Sequence, residues 1–408
     1  MRTLFAIIFI FFQYSIYGQP SNLDTLNLRL LEATEDSFKI LILNKIGVHH
    51  YYTKTPEKGR PFHEQALELA QKREYKKQIG KTLYYLGYLD YAKNEDSLAI
   101  LKFERAETIY DQIEDADGIV RTSRVLGRMA RERGDYTASF DYFNKAEIYI
   151  PKLPKKSASL GRLTLYEIGG LYWVSQDFEK AANYYFDYLK WAEEDKDSID
   201  IGFGLRNIGW ALYNKGDLEK SLLYLRRAYN FDTKYSKDGR DAAFCARNLS
   251  NCFLDLAQLD SAEWYARKFH DYFKNIENKT HLSSSYQILG KIAFAKKNRQ
   301  LGFEYLDKAL TAVEETGQRS NILNSLGDLG IYYHQYGNCD KAITLLEPIL
   351  KEAQQLKKFA FVANVANILA ECHEQKGNYN KSITYYKVQL NFKDSMNYLA
   401  ASRRGIPP

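Results

Sequence analysis

The chain has 408 residues, of which 45% are hydrophobic and 26% are charged, with 57 Lys and Arg against 51 Asp and Glu. This balance is typical of soluble globular proteins and argues against a disordered, collagen-like or multi-span membrane protein. The net charge of +6 is modest for this length and does not by itself indicate nucleic-acid binding.

The first eighteen residues differ in composition from the rest of the chain. Arg2 is the only charged residue before Asp24, and the apolar run Leu4–Phe12 is followed by the small residue Gly18. A basic start, a short apolar middle and a small residue at the exit predict a secretory signal peptide over residues 1–18. A membrane-spanning helix needs about 20 apolar residues, so an uncleaved anchor is the less favoured alternative. We therefore expect a periplasmic or secreted protein without a membrane span after signal removal.

Small residues that follow Ile or Leu recur along the chain at spacings of 40 to 42 residues. The nine positions are Gly47, Gly87, Gly127, Gly169, Gly209, Ser250, Gly290, Gly330 and Ala370. A second series lies twelve residues further on: Gly59, Ala99, Ser139, Ala181, Ser221, Ala262, Gly302, Ala342 and Ser382. Helices approach closely only where their contact points carry small side chains, so this period predicts nine helical hairpins over residues 40–390. Residues 19–39 are expected to cap the first hairpin, and residues 391–408 to end the last helix and form a tail.

Turn signals separate the two small positions within many of the repeats. They are Gly134-Asp135, Gln176-Asp177, Gly216-Asp217, Gly337-Asn338 and Gly377-Asn378. Gly is expected to end helix A of each hairpin, and Asp or Asn to cap helix B. A large residue follows four positions after the second small one, as at Phe103, Phe143, Tyr185, Leu225, Leu306 and Tyr386. Such hairpins are expected to bury their apolar faces by stacking on their neighbours.

This pattern of small, large and small residues resembles the tetratricopeptide repeat family. The resemblance is carried by segments such as Leu126-Gly127, Gly134-Asp135-Tyr136, Ser139, Phe143 and Ala146. It implies an all-α, right-handed superhelical solenoid of about nine hairpins, with helix A of each hairpin on the concave side. The period of 40 rather than 34 implies longer helices and linkers. HEAT and armadillo arrays have a similar period but lack these small positions.

In this family, four positions of each helix A line the concave groove, and here they carry many arginines and aromatic residues. The candidate groove residues are Tyr84, Tyr88, Tyr91, Arg121, Arg124, Arg128, Arg131, Tyr166, Trp173, Arg206, Trp210, Tyr213, Arg247 and Asn251. Arginine forks bind carboxylates, and aromatic faces receive apolar side chains or stack on guanidinium groups. The groove is therefore predicted to bind a peptide or partner protein, with acidic groups or a free carboxylate as the recognised feature.

A structural interpretation of the same residues remains open at this point. In it, the arginines of the third repeat form a solvated face that pairs with Glu104, Glu107 and Glu132. The aromatic residues at helical spacing then belong to the core. Further along the chain the groove positions lose their basic character and become acidic, with Glu371 and Glu374 in the last repeat.

Motifs of catalytic or metal sites are not found in the sequence. It contains no nucleophile elbow, phosphate loop, dinucleotide fingerprint or HExxH motif. The histidines His49, His50 and His63 are interpreted as polar residues of the first repeat rather than as metal ligands. We therefore expect a protein that is not an enzyme, has no cofactor or metal and does not bind nucleic acid.

The four cysteines lack the spacing of a zinc site. Cys245 and Cys252 are about 10.5 Å apart along a predicted helix, which is too far for a disulfide. Cys252 and Cys372 are expected to be small packing residues.

The end of the last predicted helix, residues 385–395, resembles the last repeat of periplasmic sensor regions in tetratricopeptide-type histidine kinases and related regulators. In those proteins a membrane helix and a signalling domain follow. We therefore consider two functions. The first is an exported, non-catalytic scaffold that binds a peptide or partner protein in its groove. The second is the extracytoplasmic sensor region of a signal-transduction protein that lacks its membrane helix and output domain.

Overall fold

The computed structural model describes residues 23–356 and 358–403, which form helices joined by short turns. The predicted signal peptide, residues 19–22 of the predicted capping segment and residues 404–408 of the predicted tail lie outside the described residues. The α-helices of the described part are α1 (Leu23–Glu32), α2 (Asp36–Tyr52), α3 (Pro56–Lys72), α4 (Lys76–Ala92), α5 (Asp96–Gln112), α6 (Ala116–Glu132), α7 (Tyr136–Tyr149), α8 (Ala158–Val174), α9 (Phe178–Glu194), α10 (Ser198–Lys215), α11 (Leu218–Tyr235), α12 (Arg240–Asp255), α13 (Leu259–Asn275), α14 (Lys279–Ala295), α15 (Arg299–Glu314), α16 (Arg319–Gln335), α17 (Cys339–Gln355), α18 (Phe359–Gln375) and α19 (Tyr379–Arg403). Among these described helices, none is long and apolar enough to span a membrane.

The chain divides into two compact units. Unit 1 ends at Leu171 and contains α1 to α7 and most of α8, and unit 2 begins at Tyr172 and contains α9 to α19. After α1, the helices alternate as helix A and helix B of successive hairpins. The prediction of an all-α fold with about nine hairpins is confirmed.

The length of the repeat comes from its helices. Helices α2 to α6 have 17 residues each, and the turns between them have three, so that two helices and two turns make 40 residues. The expectation of longer helices is correct, whereas the expectation of longer linkers is wrong. Two short 3₁₀ turns, Ile150–Lys152 and Lys155–Ser157, lie between α7 and α8 and account for the one spacing of 42.

Many turns contain a left-handed residue, and several of them also provide a side-chain cap for the following helix. Gly134 and Gly216 have φ values of +82° and +90°, a conformation that glycine adopts without a steric penalty. Among the predicted turns, the side chains that accept a hydrogen bond from the backbone N–H three residues later include those of Asp135, Asp177, Asp217 and Asn338. The predicted turn chemistry is therefore present at these four positions.

Large residues of helix B lie directly on the small residues of helix A. A Cβ atom added to Gly87 would lie 2.8 Å from Cε1 of Phe103, and one added to Gly209 would lie 2.6 Å from Cγ of Leu225. These contacts are too short for any larger side chain. The spacing of 16 residues between Gly87 and Phe103, and between Gly209 and Leu225, thus reflects direct packing of helix A on helix B.

Serine at a small position adds a hydrogen bond to this close contact. The hydroxyl of Ser139 donates to the carbonyl oxygen of Gly127 at 2.8 Å, and Ser221 donates to Gly209 at the same distance. In a later hairpin the direction is reversed, because Ser250 of helix A donates to Ala262 of helix B at 2.8 Å. Serine is therefore accommodated at these contacts because the opposite helix backbone satisfies its hydroxyl.

His63 is buried between α2 and α3 and belongs to a polar network. Its ring lies on Gly47, where an added Cβ atom would be 2.4 Å from Nε2. The Asn44 amide nitrogen donates to the Thr82 hydroxyl at 2.8 Å, so its Oδ1 accepts from Nδ1 of His63 at 2.7 Å. Burial and the nearby Arg60 guanidinium lower the pKa of His63 to about 4.

This network predicts a loss of stability in mild acid. The unfolded chain takes up a proton at His63 near pH 6.5, whereas the folded chain does so only near pH 4. Stability is therefore expected to fall by up to about 3 kcal/mol as the pH drops through this interval. Urea unfolding of the wild type and of His63→Gln at pH 7 and at pH 4.5 measures the effect. The variant should lose less stability than the wild type, and equal losses would contradict the role of His63.

Candidate functional site

The arginines of α6 do not form a solvated row, since Arg124 is only 1% exposed. Its Nη1 lies 2.8 Å from Oε1 of Glu167 on α8, and Nη1 of Arg128 lies 3.8 Å from the same oxygen. Arg131 donates to the backbone carbonyl of Glu167 at 3.3 Å. Burial lowers the pKa of Arg124, but the Glu167 carboxylate and nearby tyrosines produce a net upward shift. Glu167 thus contacts three of the four arginines, two through its carboxylate and one through its backbone carbonyl.

Arg121, at the other end of the row, pairs within its own helix. Its Nε lies 2.5 Å from Oδ2 of Asp117, and the Ser157 hydroxyl also donates to this carboxylate. Burial raises the pKa of Asp117, but the Arg121 guanidinium and the Ser157 hydroxyl together hold it below its usual value.

The tyrosines of α4 fall into two groups. Tyr84 and Tyr88 are buried, with ring centroids 4.9 Å apart, and both rings contact Phe103 of α5 edge to face. Tyr91 is half-buried, and its hydroxyl donates to Oε2 of Glu132 at 2.5 Å. The guanidinium of Arg128 lies 5.8 Å from the centre of the Tyr91 ring. Tyr84 and Tyr88 therefore contribute to the core, and Tyr91 lies on the surface of α4.

Two further aromatic candidates are half-buried residues of α8, namely Tyr166 and Trp173. Within unit 2, the Trp173 ring packs edge to face on Phe178, with 6.3 Å between ring centroids. Its indole Nε1 is buried and has no hydrogen-bond acceptor among the described residues.

Arg206 on α10 is held by carboxylates of unit 2. Its Nη1 lies 3.3 Å from Oδ2 of Asp232 and 3.1 Å from Oδ1 of Asp241. The Cys245 thiol donates to Asp232 at 3.3 Å. Burial raises the pKa of Asp232, although the Arg206 guanidinium acts in the opposite direction. Arg206 is therefore an internally paired residue.

Arg247, the next arginine of this series, has different surroundings. It lies on α12, with its guanidinium 5.5 Å from the ring centre of Phe244 and 5.9 Å from that of Phe269. Its polar contact is with Oδ1 of Asn248 at 3.4 Å, and no carboxylate of the described residues lies within ion-pair distance. Burial and the positive charge of Arg206 lower the pKa of Arg247. This half-buried cation on an aromatic floor differs from the internally paired Arg124 and Arg206.

The helix A that precedes α12 is α10, which carries two aromatic residues of the candidate groove. Trp210 and Tyr213 of α10 stack with ring centroids 5.0 Å apart and an interplanar angle of 10°. The Tyr213 hydroxyl donates to Oδ2 of Asp255 at 2.6 Å. Trp210 and Asn251 each directly follow the small residue of their repeat and are 41 residues apart. Asn251 therefore occupies in α12 the position that Trp210 occupies in α10. Both aromatic residues and Asn251 are half-buried.

Comparison with known proteins agrees with this architecture. The family model of the tetratricopeptide repeat matches residues 281–351. The apo form of RapI is similar with a TM-score of 0.55 and 14% identity, covering 68% of this chain and 99% of that one. Residues 281–351 thus match the tetratricopeptide repeat, and the chain has the fold of tetratricopeptide-repeat solenoids.

Two further solved structures contain the same kind of repeat array. A signal-transduction ATPase with a tetratricopeptide repeat sensor from Pyrococcus horikoshii has a TM-score of 0.52 and 14% identity, over 96% of this chain and 66% of that one. The Rap conjugation gene regulator of plasmid pLS20, in complex with the Phr* peptide, has a TM-score of 0.51 and 14% identity, over 84% of this chain and 98% of that one. At such low identity the likeness concerns the fold alone. No curated protein matches the sequence.

The carboxylates that pair with the arginines of these repeats could not be identified from the sequence. Glu167 lies 43 residues after Arg124, and Asp232 lies 26 residues after Arg206. Glu167 lies on α8, the helix A that follows the arginine-rich helix α6. This location is the one signal in the sequence that could have indicated Glu167 as a partner of the arginines. A ligand-binding role for the fourteen candidate groove residues stays a prediction.

Proposed function

We propose that the chain is a non-catalytic binding scaffold, and that helices A of unit 2 bind an acidic group of a peptide or partner protein at Arg247. The observation that carries this proposal is the half-buried Arg247 guanidinium, which has an aromatic floor and no carboxylate partner among the described residues. Burying a charge is costly unless an opposite charge or hydrogen bonds compensate for it. A ligand carboxylate would supply both, because the guanidinium presents paired donors that match its two oxygens.

The neighbouring residues suit an extended ligand. Because the Arg247 guanidinium lies over the rings of Phe244 and Phe269, its edge is the polar part of the site. Asn251 lies one helical turn further along α12. On the preceding helix A, the stacked Trp210 and Tyr213 offer an apolar surface for a side chain next to the acidic group. The complex of the similar Rap conjugation gene regulator with the Phr* peptide supports a peptide as ligand for a repeat array of this kind.

The arginine row of α6 is not the main binding site in this proposal. Arg124 and Arg121 already have carboxylate partners, Glu167 and Asp117, so that a ligand would have to displace an internal ion pair. The absence of the common catalytic motifs from the sequence supports a scaffold rather than an enzyme. We further propose that residues 1–18 direct export, so that the ligand is met outside the cytoplasm.

A charge reversal at Arg247 tests the proposal. The tagged protein would be crosslinked in its native cells, recovered from the extracytoplasmic fraction and analysed by mass spectrometry. The partner identified in this way would then be titrated against purified wild type and Arg247→Glu. We expect the variant to bind at least about 30-fold more weakly, because truncation of one member of a buried charge pair costs about 2–5 kcal/mol.

The matched control is Arg227→Glu, which reverses an exposed arginine on the B helix α11. It should bind like the wild type. Equal affinities of both variants, with unchanged helicity, would refute Arg247 as the site. Recovery of the protein only from the cytoplasm would refute export. The titration would still decide whether Arg247 is the binding site.

A sensor region of a signal-transduction protein is the second candidate. It is favoured by α19, which has 25 residues and extends beyond the usual 17 of these helices. The ATPase from Pyrococcus horikoshii with a tetratricopeptide repeat sensor also supports it. Small-angle scattering of the chain with and without the identified partner peptide separates the candidates, since a sensor is expected to change shape and a plain scaffold is not.

A further inference from the structure

Three potential metal ligands converge in the last part of unit 2. A ring nitrogen of His334 and the Sγ atoms of Cys339 and Cys372 all lie within 4.8 Å of one another. Cys372 is fully buried and Cys339 nearly so, whereas His334 is half-buried. The two thiols therefore lie inside, and the imidazole is partly accessible to solvent.

The three ligands belong to three different helices. His334 is in the last turn of α16, Cys339 is the first residue of α17, and Cys372 lies in the last turn of α18. Gly337, with a φ of +74°, reverses the chain between α16 and α17, and Asn338 caps α17. This turn sets His334 and Cys339 side by side, and the stacking of α18 on α17 brings in Cys372.

Polar groups around the cluster suit a bound cation. Oε2 of Glu371 lies 3.2 Å from Nε2 of His334, and Glu371 also accepts from the Asn367 amide at 2.7 Å. The Cys339 thiol donates to Oε1 of Gln375 at 3.2 Å. A carboxylate that holds the imidazole of a metal ligand is a frequent partner in zinc sites, where it fixes the ring orientation.

We propose that His334, Cys339 and Cys372 bind a zinc ion, with a water molecule at the fourth position. Two thiolates neutralise the two charges of Zn²⁺, which makes the ion compatible with a buried site. Thiolate and imidazole ligands are those that Zn²⁺ prefers. Tetrahedral coordination places ligand atoms about 3.5 Å apart, so small side-chain movements close the distances of up to 4.8 Å.

A disulfide between Cys339 and Cys372 is the competing chemistry. It would leave His334 and Glu371 without a role in the cluster, whereas a metal ion uses the imidazole directly and the carboxylate as its support. The zinc ion would tie α16, α17 and α18 together and stabilise the last two hairpins by binding only to the folded state.

The test uses the full chain with reduced thiols, freed of metal by a chelator. We expect the wild type to bind one equivalent of Zn²⁺ and to give, with Co²⁺, a thiolate-to-metal charge-transfer band and the visible bands of tetrahedral cobalt. Cys339→Ser should lose the charge-transfer intensity in part and bind Zn²⁺ more weakly. His334→Gln, a change at a half-buried position, should lower Zn²⁺ affinity by about tenfold or more without loss of helicity.

The matched control is Cys252→Ser, which removes a buried thiol on α12, and it should bind both metals like the wild type. A wild type without the cobalt charge-transfer band would overturn the proposal. So would undiminished Zn²⁺ affinity in both Cys339→Ser and His334→Gln, or thiol titration and peptide mapping that reveal a Cys339–Cys372 disulfide in the protein isolated from its cells. None of these results depends on the peptide-binding proposal, because Arg247 is not a member of the cluster.

Discussion

Replacing Arg124 with methionine is expected to lower the free energy of unfolding by about 3–5 kcal/mol. Arg124 is fully enclosed, and its Nη1 lies 2.8 Å from Oε1 of Glu167. The substitution leaves the Glu167 carboxylate buried with a more distant ion-pair partner, Arg128, whose Nη1 lies 3.8 Å from Oε1. Removing one member of a buried ion pair is costly because the remaining charge cannot be rehydrated.

Urea unfolding followed by circular dichroism measures this loss, and hydrogen exchange locates it in α6 and α8. The control is Arg121→Met on the same helix, whose ion pair with Asp117 is partly exposed and should contribute about 0–1 kcal/mol. Equal and small effects of the two substitutions would show that the Arg124–Glu167 pair is not needed for folding.

This expectation changes the interpretation of a charge reversal at Arg124. A glutamate at this position would lie beside Glu167 in the interior, where two like charges repel strongly. Loss of a partner by such a variant would then report unfolding rather than a missing ligand contact. Arg247 is the better position for a binding test, because among the described residues no carboxylate lies within ion-pair distance of its guanidinium.

Replacing Phe103 with alanine is expected to destabilise unit 1 by about 3–5 kcal/mol. The ring is fully buried on α5, lies on Gly87 and contacts Tyr84 and Tyr88 edge to face. Alanine would leave a cavity next to Gly87, in the space that the Phe103 ring now fills. Both the lost burial and the cavity contribute to the cost.

The matched control is Leu101→Ala, two residues earlier on the same helix. Leu101 is 52% exposed, so its removal should change stability by no more than about 0.5 kcal/mol. Urea unfolding gives the two values, and hydrogen exchange of α4 and α5 shows whether the loss is local. Comparable effects at both positions would refute the packing role that the repeat pattern assigns to Phe103.

The location of the arginine row and its aromatic neighbours illustrates the limit of the sequence pattern. Helical spacing correctly places Arg121, Arg124 and Arg128 on one helix, but it does not distinguish an exposed face from one covered by the next helix A. Tyr84 and Tyr88 were candidates for a ligand surface and lie in the core. The pattern could not separate these outcomes because helix A of a repeat array contacts neighbours on several sides.

The sequence by itself determined the hairpins, since their period, small contact positions and turns depend on residues close together in the chain. Gly134 followed by Asp135 ends one helix and starts the next whatever lies elsewhere. Only the tertiary structure decided which polar groups meet: Glu167 with Arg124, Asp232 with Arg206, and His334 with two cysteines on other helices. In the two ion pairs, the partners lie on different helices and are 43 and 26 residues apart in the chain. Whether such residues meet depends on the register in which their helices pack. No local rule of backbone geometry fixes that register. The same packing leaves Arg247 without a carboxylate within ion-pair distance among the residues that the structure describes.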